Sequence, residues 1–313
     1  MSGTDPRYLF GVSGMVVVIT GGATGKNRLL YLLIKQPQTD RFSISGIGLM
    51  MTKAFALNGA HKVYIVGRRK EKLDEAAKLS PSNIVPLVGD VTSKDSLVEI
   101  ANQVKQDVGY VNMVCCNSGT MPDPIAAKPT EASLAEYAQA ALQQNPADWN
   151  TTFATNSTSV AFTTFAFLEL LAAGNKRANC PGRKSQVLVT SSIAGYLRNP
   201  GSNIAYGASK AAATHLVKHM AGTLAPYSIR INGLAPGLFP SELSESLIAG
   251  IKPDGDPTEE GGIDRKAIPA ERTGREGDIV GTMLYLAGAA GAYLNGNVTV
   301  LDGGRVSQLP GTY

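Results

Sequence analysis

Short apolar runs alternate with longer amphipathic stretches along this chain. Seven runs have the length and β-branched content of buried strands: residues 15–19, 63–66, 84–88, 113–116, 186–190, 229–234 and 298–301. Between them, residues 48–58, 93–106, 208–224 and 278–287 carry apolar residues at helical spacing. The strand runs are almost continuously apolar rather than alternating. A strand needs that only when both faces of its sheet are covered, so the pattern predicts an α/β fold: a doubly wound parallel sheet with helices on both faces. No repeat and no linker divides the chain, so residues 1–313 read as a single domain. Two stretches are irregular. Residues 122–150, rich in Ala, Gln and Pro, predict a helix-bearing loop. Residues 239–272 carry Pro240, Pro253, Pro257 and several glycines; they read either as a flap over a substrate pocket or as a plain surface loop.

Composition changes this picture little. The 313 residues are 43% apolar and 17% charged, with a net charge of +4 that forms no cluster. Neither nucleic acid nor a membrane surface is therefore expected as a partner. Cys115, Cys116 and Cys180 are odd in number and lack framework spacing, which predicts a reduced, cytoplasmic protein with the 115–116 pair buried. The N-terminus lacks a secretory pattern, and the apolar runs are shorter than a membrane span. Three matches to the glycosylation pattern, at Asn150, Asn156 and Asn297, are then chance. No metal site is expected.

The candidate chemistry sits at the strand ends. Strand 15–19 runs into Thr20-Gly21-Gly22-Ala23-Thr24-Gly25, and Ser45-Gly46-Ile47-Gly48 follows some twenty residues later. A glycine turn between a first strand and a first helix aims backbone N–H groups and the helix N-terminus at a pyrophosphate, as in Rossmann-like folds. A tight βα turn without a ligand is the plain alternative. The second strand ends Gly67-Arg68-Arg69-Lys70. No acidic residue stands there to bind a ribose diol; two arginines do, which favours NADP(H) through pairing with a 2′-phosphate. A solvated start to a helix would look the same. Asp90-Val91 ends the third strand, where the carboxylate can take an adenine amino group or cap a helix, a job Ser93 could also do. Asn117-Ser118-Gly119 ends the fourth, and its small residues allow close approach of a ribose.

The most specific feature is Tyr206-Gly207-Ala208-Ser209-Lys210. Four residues apart on a helix, the phenol and the ammonium share one face. The ammonium is expected to lower the tyrosine pKa and make it a usable acid–base group. Thr190-Ser191-Ser192 closes a strand just upstream and offers a hydroxyl to a substrate carbonyl. Each feature alone has a bland reading; their order on successive elements does not.

These motifs, with Asn156, Pro236-Gly237 and the C-terminal Gly296-Asn297-Val298 and Leu301-Asp302-Gly303-Gly304, resemble the short-chain dehydrogenase/reductase family over nearly the whole chain. Within it, LAPGLFPSEL and LAGAAGAYLNGNVTVLDGG look like the rhamnolipid-type NADPH-dependent 3-oxoacyl reductases. The resemblance implies that Tyr206 donates a proton to a ketone, Lys210 lowers its pKa and binds the nicotinamide ribose, and Ser192 positions the carbonyl, with Ser191 as its stand-in. It also implies that Asn156 holds a water linking Lys210 to solvent, that Leu238 lies by the nicotinamide, and that Ser241 lies near its amide. The pocket is expected between residues 195–204 and the 239–272 flap. A small-molecule ketone or alcohol is the implied substrate, 3-oxoacyl or polyketide-like, and a homodimer or homotetramer the implied assembly. Ser118, where the family commonly has Ala, is a small departure.

Joining TGGATG directly to Ile47-Gly48 restores an uninterrupted family glycine motif. Residues 26–46, twenty-one in all, therefore read as an insertion into one loop, with Gly25 and Gly46 competing for one role. It is either a genuine bulge or translated intron: Gly25-Lys26, Thr39-Asp40 and Ser45-Gly46 can each be encoded by splice-like signals, and removal keeps the frame. Two further functional readings compete with a ketone reductase. One is a cofactor-binding homologue whose turnover the inserted segment impairs. The other is an isomerase or dehydratase, which would not need Arg68 and Arg69.

Overall fold

In the computed structural model, described for residues 3–23, 46–251, 253 and 255–312, the seven expected strands all form. They are β1 (Val16–Thr20), β2 (Lys62–Gly67), β3 (Ile84–Val88), β4 (Met113–Cys116), β5 (Gln186–Thr190), β6 (Arg230–Pro236) and β7 (Val298–Leu301). They make one parallel sheet in the order β3-β2-β1-β4-β5-β6-β7. The fold is Rossmann-like. The order reverses between β1 and β4, and a doubly wound sheet opens a crevice at the strand C-termini beside such a reversal.

Why β1 reads as a continuous apolar run is plain from its surroundings. Val17 and Ile19 face one buried cluster with Met51, Phe55 and Met283; Val16 and Val18 face the other, with Tyr64, Phe167 and Val217. Helices α1 (Ile47–Ala56) and α9 (Glu276–Ala287) cover the first face. The second is covered by α3 (Lys94–Asp107), α6 (Ser159–Arg177) and α7 (Ile204–Leu224). The remaining α-helices of six or more residues among the described ones are α2 (Lys70–Ala77), α4 (Leu134–Leu142), α5 (Pro146–Phe153) and α8 (Glu245–Gly250). Each fully buried Val, Ile or Phe side chain contributes about 1.5–3 kcal/mol. Cys115 and Cys116 lie in these clusters as expected.

Two differences from the sequence expectation matter, and so does one alternative that the sequence left open at Asp90. α7 begins at Ile204 rather than at residue 208, because Asn203 caps it: its side-chain oxygen accepts the Tyr206 N–H at 3.0 Å. Tyr206 therefore stands in the first helical turn. Asp90 is not the helix cap. Ser93 is, accepting from the Ser96 N–H, while Asp90 accepts from the Thr92 N–H and hydroxyl at 2.8 and 2.7 Å. The helical stretch Pro146–Arg177 is long and apolar enough to cross a membrane, although the separate apolar runs read as too short. Half of its apolar window is buried inside the protein, with Val160, Phe167 and Leu171 packed on the sheet, so it serves as a core helix.

The 239–272 region is more than a surface loop. Phe239, Ile248, Ile263 and Ile268 are buried, and the Phe239 ring lies so close to Gly274 that a Cβ there would sit 2.2 Å from it.

Candidate active site

The two glycine clusters are one site in space. Gly21 takes a φ of +68°, which favours glycine. A Cβ on Gly48 would lie 2.0 Å from the Gly21 carbonyl oxygen, so only glycine fits where the first turn of α1 meets the end of β1. Thr52 ties them further by donating its hydroxyl to the Gly22 and Gly48 carbonyls, both at 2.9 Å. Gly46 is the N-cap of α1, and among the described residues no side chain caps it. The positive end of the α1 dipole and its first N–H groups are thus available to an anion. Gly25 lies outside the described residues, as does most of the 26–46 segment.

β4 delivers Asn117 and Gly119 to the same crevice. The Thr20 hydroxyl accepts from the Asn117 and Ser118 N–H groups at 2.9 and 3.1 Å, and Asn117 bridges onward to the Thr20 carbonyl and the Thr190 hydroxyl. In the sequence Thr20 and Thr190 stood only as members of their motifs, without this bracing role. Their place at the ends of β1 and β5 was the available signal.

Tyr206, Lys210, Ser192 and Asn156 converge beside this turn. The Lys210 ammonium is buried, donates to the Thr190 carbonyl at 2.8 Å and lies 5.8 Å from the Tyr206 ring centroid. Gly119 faces it: a Cβ there would stand 3.4 Å from the Asn156 oxygen and 3.5 Å from the Lys210 nitrogen. Asn156 sits in a π-helical turn, Ala154–Thr158, between α5 and α6; such turns recur at functional sites. Its amide donates to the Thr120 carbonyl at 2.8 Å and the Ser209 hydroxyl at 2.9 Å, and its oxygen accepts from the Thr120 N–H at 2.8 Å. Ser209 is a positioning partner that sequence reasoning did not find.

The two serines have different partners. Ser191 is buried, donating to the Lys210 carbonyl at 2.9 Å and bonded to the Thr214 hydroxyl at 2.7 Å. Ser192 accepts from the Ala194 N–H at 3.1 Å and hydrogen-bonds the Tyr206 phenol.

The electrostatics correct one expectation. Burial pushes the Tyr206 phenol up to about 12, with the Ser192 hydrogen bond pulling the other way, and burial pushes the Lys210 ammonium down to about 8. Burial outweighs any lowering by Lys210 in this arrangement, so the phenol stands above its ordinary value rather than below it. The cost of enclosing a charge dominates both groups, and the ammonium is turned to the Thr190 carbonyl rather than to the phenol oxygen.

At the outer end of the crevice, Arg68 and Arg69 are exposed at the end of β2. Arg69 is not unpartnered: it pairs with Glu242 of the 239–272 region through two contacts of 3.3 Å. Partial burial raises Asp90, but its two Thr92 hydrogen bonds and the Arg68 charge outweigh that and hold it below the usual carboxylate range. Val91 beside it is buried. Pro236 ends β6. Gly237 donates to the Leu301 carbonyl at 2.9 Å, and a Cβ there would meet the Asp302 Cβ at 2.7 Å. Leu238 accepts from the Gly274 N–H, and the Ser241 hydroxyl is bonded to that of Ser244 at 2.9 Å.

Known proteins carry the same framework. The sequence profile of the enoyl-(acyl carrier protein) reductase family matches residues 43–305. The short-chain dehydrogenase/reductase PhomF of Diaporthe leptostromiformis is 40% identical over 311 residues, 97% of this chain and 96% of PhomF. The 3-oxoacyl-[acyl-carrier-protein] reductase FabG of Thermotoga maritima is 28% identical, over 84% of this chain and 94% of its own. Among solved structures, the Pseudomonas aeruginosa RhlG/NADP active-site complex superposes with a TM-score of 0.72 at 27% identity, covering 96% of this chain and 99% of that one.

Proposed function

The chain belongs to the short-chain dehydrogenase/reductase family, an oxidoreductase family of Rossmann fold, and we propose from its site that it is an NADP(H)-dependent reductase of ketones, 3-oxoacyl or polyketide-like in substrate. The observation that carries this is the convergence of Ser192, Tyr206, Lys210 and Asn156 beside the Gly21/Gly48 turn. A carbonyl oxygen received between the Ser192 and Tyr206 hydroxyls meets two donors on a preorganised frame. The Tyr206 phenol keeps its proton at neutral pH, so it is charged with the proton that the forming alkoxide needs. Lys210, still largely protonated at pH 7, then sits where a phenolate forms and stabilises it. Asn156, fixed by three hydrogen bonds, borders the Lys210 nitrogen at Gly119 and provides the way to resupply the proton through a water.

The residues present fit an NADP-type dinucleotide. The uncapped N-terminus of α1 and the Gly21–Gly48 cradle would hold the pyrophosphate, Arg68 and Arg69 the 2′-phosphate, and Asp90 and Val91 the adenine. Asn117, Gly119 and Lys210 would take the nicotinamide ribose; Pro236, Gly237, Leu238 and Ser241 would border its ring and amide. When bound, the dihydronicotinamide supplies the hydride. The NADP named with RhlG and the 3-oxoacyl substrate named with FabG support the same choice. The exposed Phe162 and Phe165, stacked edge to face at 6.0 Å on α6, suit a homodimer or homotetramer. The cytoplasm is the proposed location.

We also propose that residues 26–46 are an insertion into this loop, in the translated-intron reading. Support comes from Gly48 seating on Gly21, which closes the turn from the residues that flank the segment. The competing reading, a homologue with impaired turnover, is tested on the same pair of proteins. The full-length chain and a variant lacking 26–46 are assayed by NADPH absorbance over 3-oxoacyl thioesters and aromatic ketones. Comparable reduction by both refutes impairment; no reduction by either, with Tyr206→Phe indistinguishable from the parent, refutes the reductase. A mature transcript that always keeps the segment refutes the intron reading.

A further inference from the structure

The segment after β7 does not leave the molecule. It touches first the 239–272 region and then residues 196–198, the two stretches expected to line the substrate pocket. Asp302 turns the chain by accepting the Gly304 and Val306 N–H groups at 2.9 and 2.6 Å. Gly303 and Gly304, at φ of +63° and +84°, bring the backbone against the 239–272 region. There the Gly303 carbonyl accepts from the Ala270 N–H at 3.0 Å, and Arg305 donates to the Ala267 carbonyl at 2.7 Å. Val306 is buried beneath the crossing. Residues 310–312 then pair with residues 196–198 of the opposite wall. Arg198 N–H donates to the Pro310 carbonyl and Thr312 N–H to the Tyr196 carbonyl, both at 2.7 Å, around an antiparallel bridge between Leu197 and Gly311. The Arg198 guanidinium adds a bond to the Gly311 carbonyl at 2.9 Å.

We infer that residues 302–312 are a strap that holds the two walls of the substrate crevice at a set separation, and so select the ketone by the bulk of the chain it carries. The inference rests on the reductase reading for its substrate but not for its geometry. The catalytic groups have their own anchors. Asn203 caps α7 at Tyr206, Ser192 holds the Ala194 N–H, and Gly195 lies so close to α7 that a Cβ would stand 2.8 Å from the Ala211 nitrogen. Among the described residues, the hydrogen bonds between the strap and that loop fall at residues 196–198. Cutting it should therefore loosen the wall that an extended acyl chain lies against. Ser192 and Tyr206, which a small ketone reaches directly, should stay in place.

The test uses a chain ending at Leu309 and, separately, Arg305→Met in the full chain. Hydrogen exchange is followed at residues 196–198 and 267–270, with kcat and KM for a 3-oxodecanoyl and an acetoacetyl thioester and the Kd of NADPH. The shortened chain should exchange faster at 196–198. Its KM for the longer thioester should rise about tenfold, the loss expected when a wall must be ordered on binding. KM for acetoacetyl, both kcat values and NADPH affinity should stay within about twofold, well under the tenfold step of 1.4 kcal/mol. Arg305→Met should loosen 267–270 and leave 196–198 protected. Unchanged exchange at 196–198 overturns the strap. Equal KM changes for both thioesters, or joint loss of kcat and NADPH binding, overturn its selective role. A full-length chain that reduces neither thioester sinks the reductase reading and the substrate selection with it, while exchange still decides the strap.

Discussion

Replacing Lys210 by Met should abolish turnover and yet make the protein more stable at neutral pH. Burial pushes the folded-state ammonium down to about 8, against an ordinary value of 10.5. At pH 7 it is charged in both states, so the folded protein carries the full burden of enclosing it. Two and a half pH units of depression correspond to about 3 kcal/mol of destabilisation. Met has nearly the same length and no charge. It leaves the Thr190 carbonyl without the 2.8 Å bond from Lys210, which costs about 1 kcal/mol. The net gain is about 2 kcal/mol, or about 4 °C in Tm for a chain of this size. Between pH 8 and 10.5 the unfolded lysine holds a proton that the folded one has released. The parent therefore gains stability as pH rises through that window, by about 1.4 kcal/mol per unit in its middle. The advantage of Lys210→Met should accordingly shrink above pH 8 and vanish near pH 10. Urea unfolding followed by Trp149, the one tryptophan of the chain, from pH 7 to 10 measures it. A variant no more stable than the parent at pH 7, or a gap that stays constant to pH 10, would refute the buried-ammonium argument.

The remaining predictions probe other parts of the site. Gly48→Ala forces the Gly21 carbonyl and α1 apart, so NADPH affinity should fall at least about a hundredfold and stability by about 1–3 kcal/mol; titration of NADPH fluorescence reads the first and thermal unfolding the second. Ser192→Ala should lower kcat by about 10²–10³ with little change in stability. Ser191→Ala, by contrast, loses two buried bonds and about 1–3 kcal/mol but keeps kcat, and the opposite pattern would exchange the roles of the two serines. Arg68→Ala with Arg69→Ala should weaken NADPH far more than NADH. Glu242→Gln should tighten NADPH by no more than about fivefold, because the exposed pair it releases is worth about 0–1 kcal/mol; equal responses of the two cofactors would remove the 2′-phosphate from this site.

Much of the fold was legible because the central strands β1, β4, β5 and β6 are buried on both faces. Val16 to Ile19 could be placed from apolar continuity alone, and the same holds for residues 113–116 and 186–190. Helix limits were less so. α7 starts at Ile204 because a side chain just outside it captures the Tyr206 N–H, a local bond that periodicity does not register. Pro146–Arg177 fuses two helices through a π-turn at Asn156, where polar and apolar residues blur the pattern. In the site, Tyr206 and Lys210 were legible because their spacing puts both on one helix face. The sign of the tyrosine shift was not, since it depends on how much protein surrounds the pair.

The sequence by itself therefore determined the order of strands and helices, the family and the residues that gather at the strand ends, because these follow from local spacing and from motifs that read along the chain. Tertiary structure decided which partner each group received. It set Ser191 into packing and left Ser192 with the phenol, gave Arg69 to Glu242, seated Gly48 on Gly21 across the intervening segment, and returned residues 310–312 to 196–198. Those pairings join residues from fourteen to more than a hundred and seventy positions apart. Their strength depends on burial and distance, which only the folded chain sets.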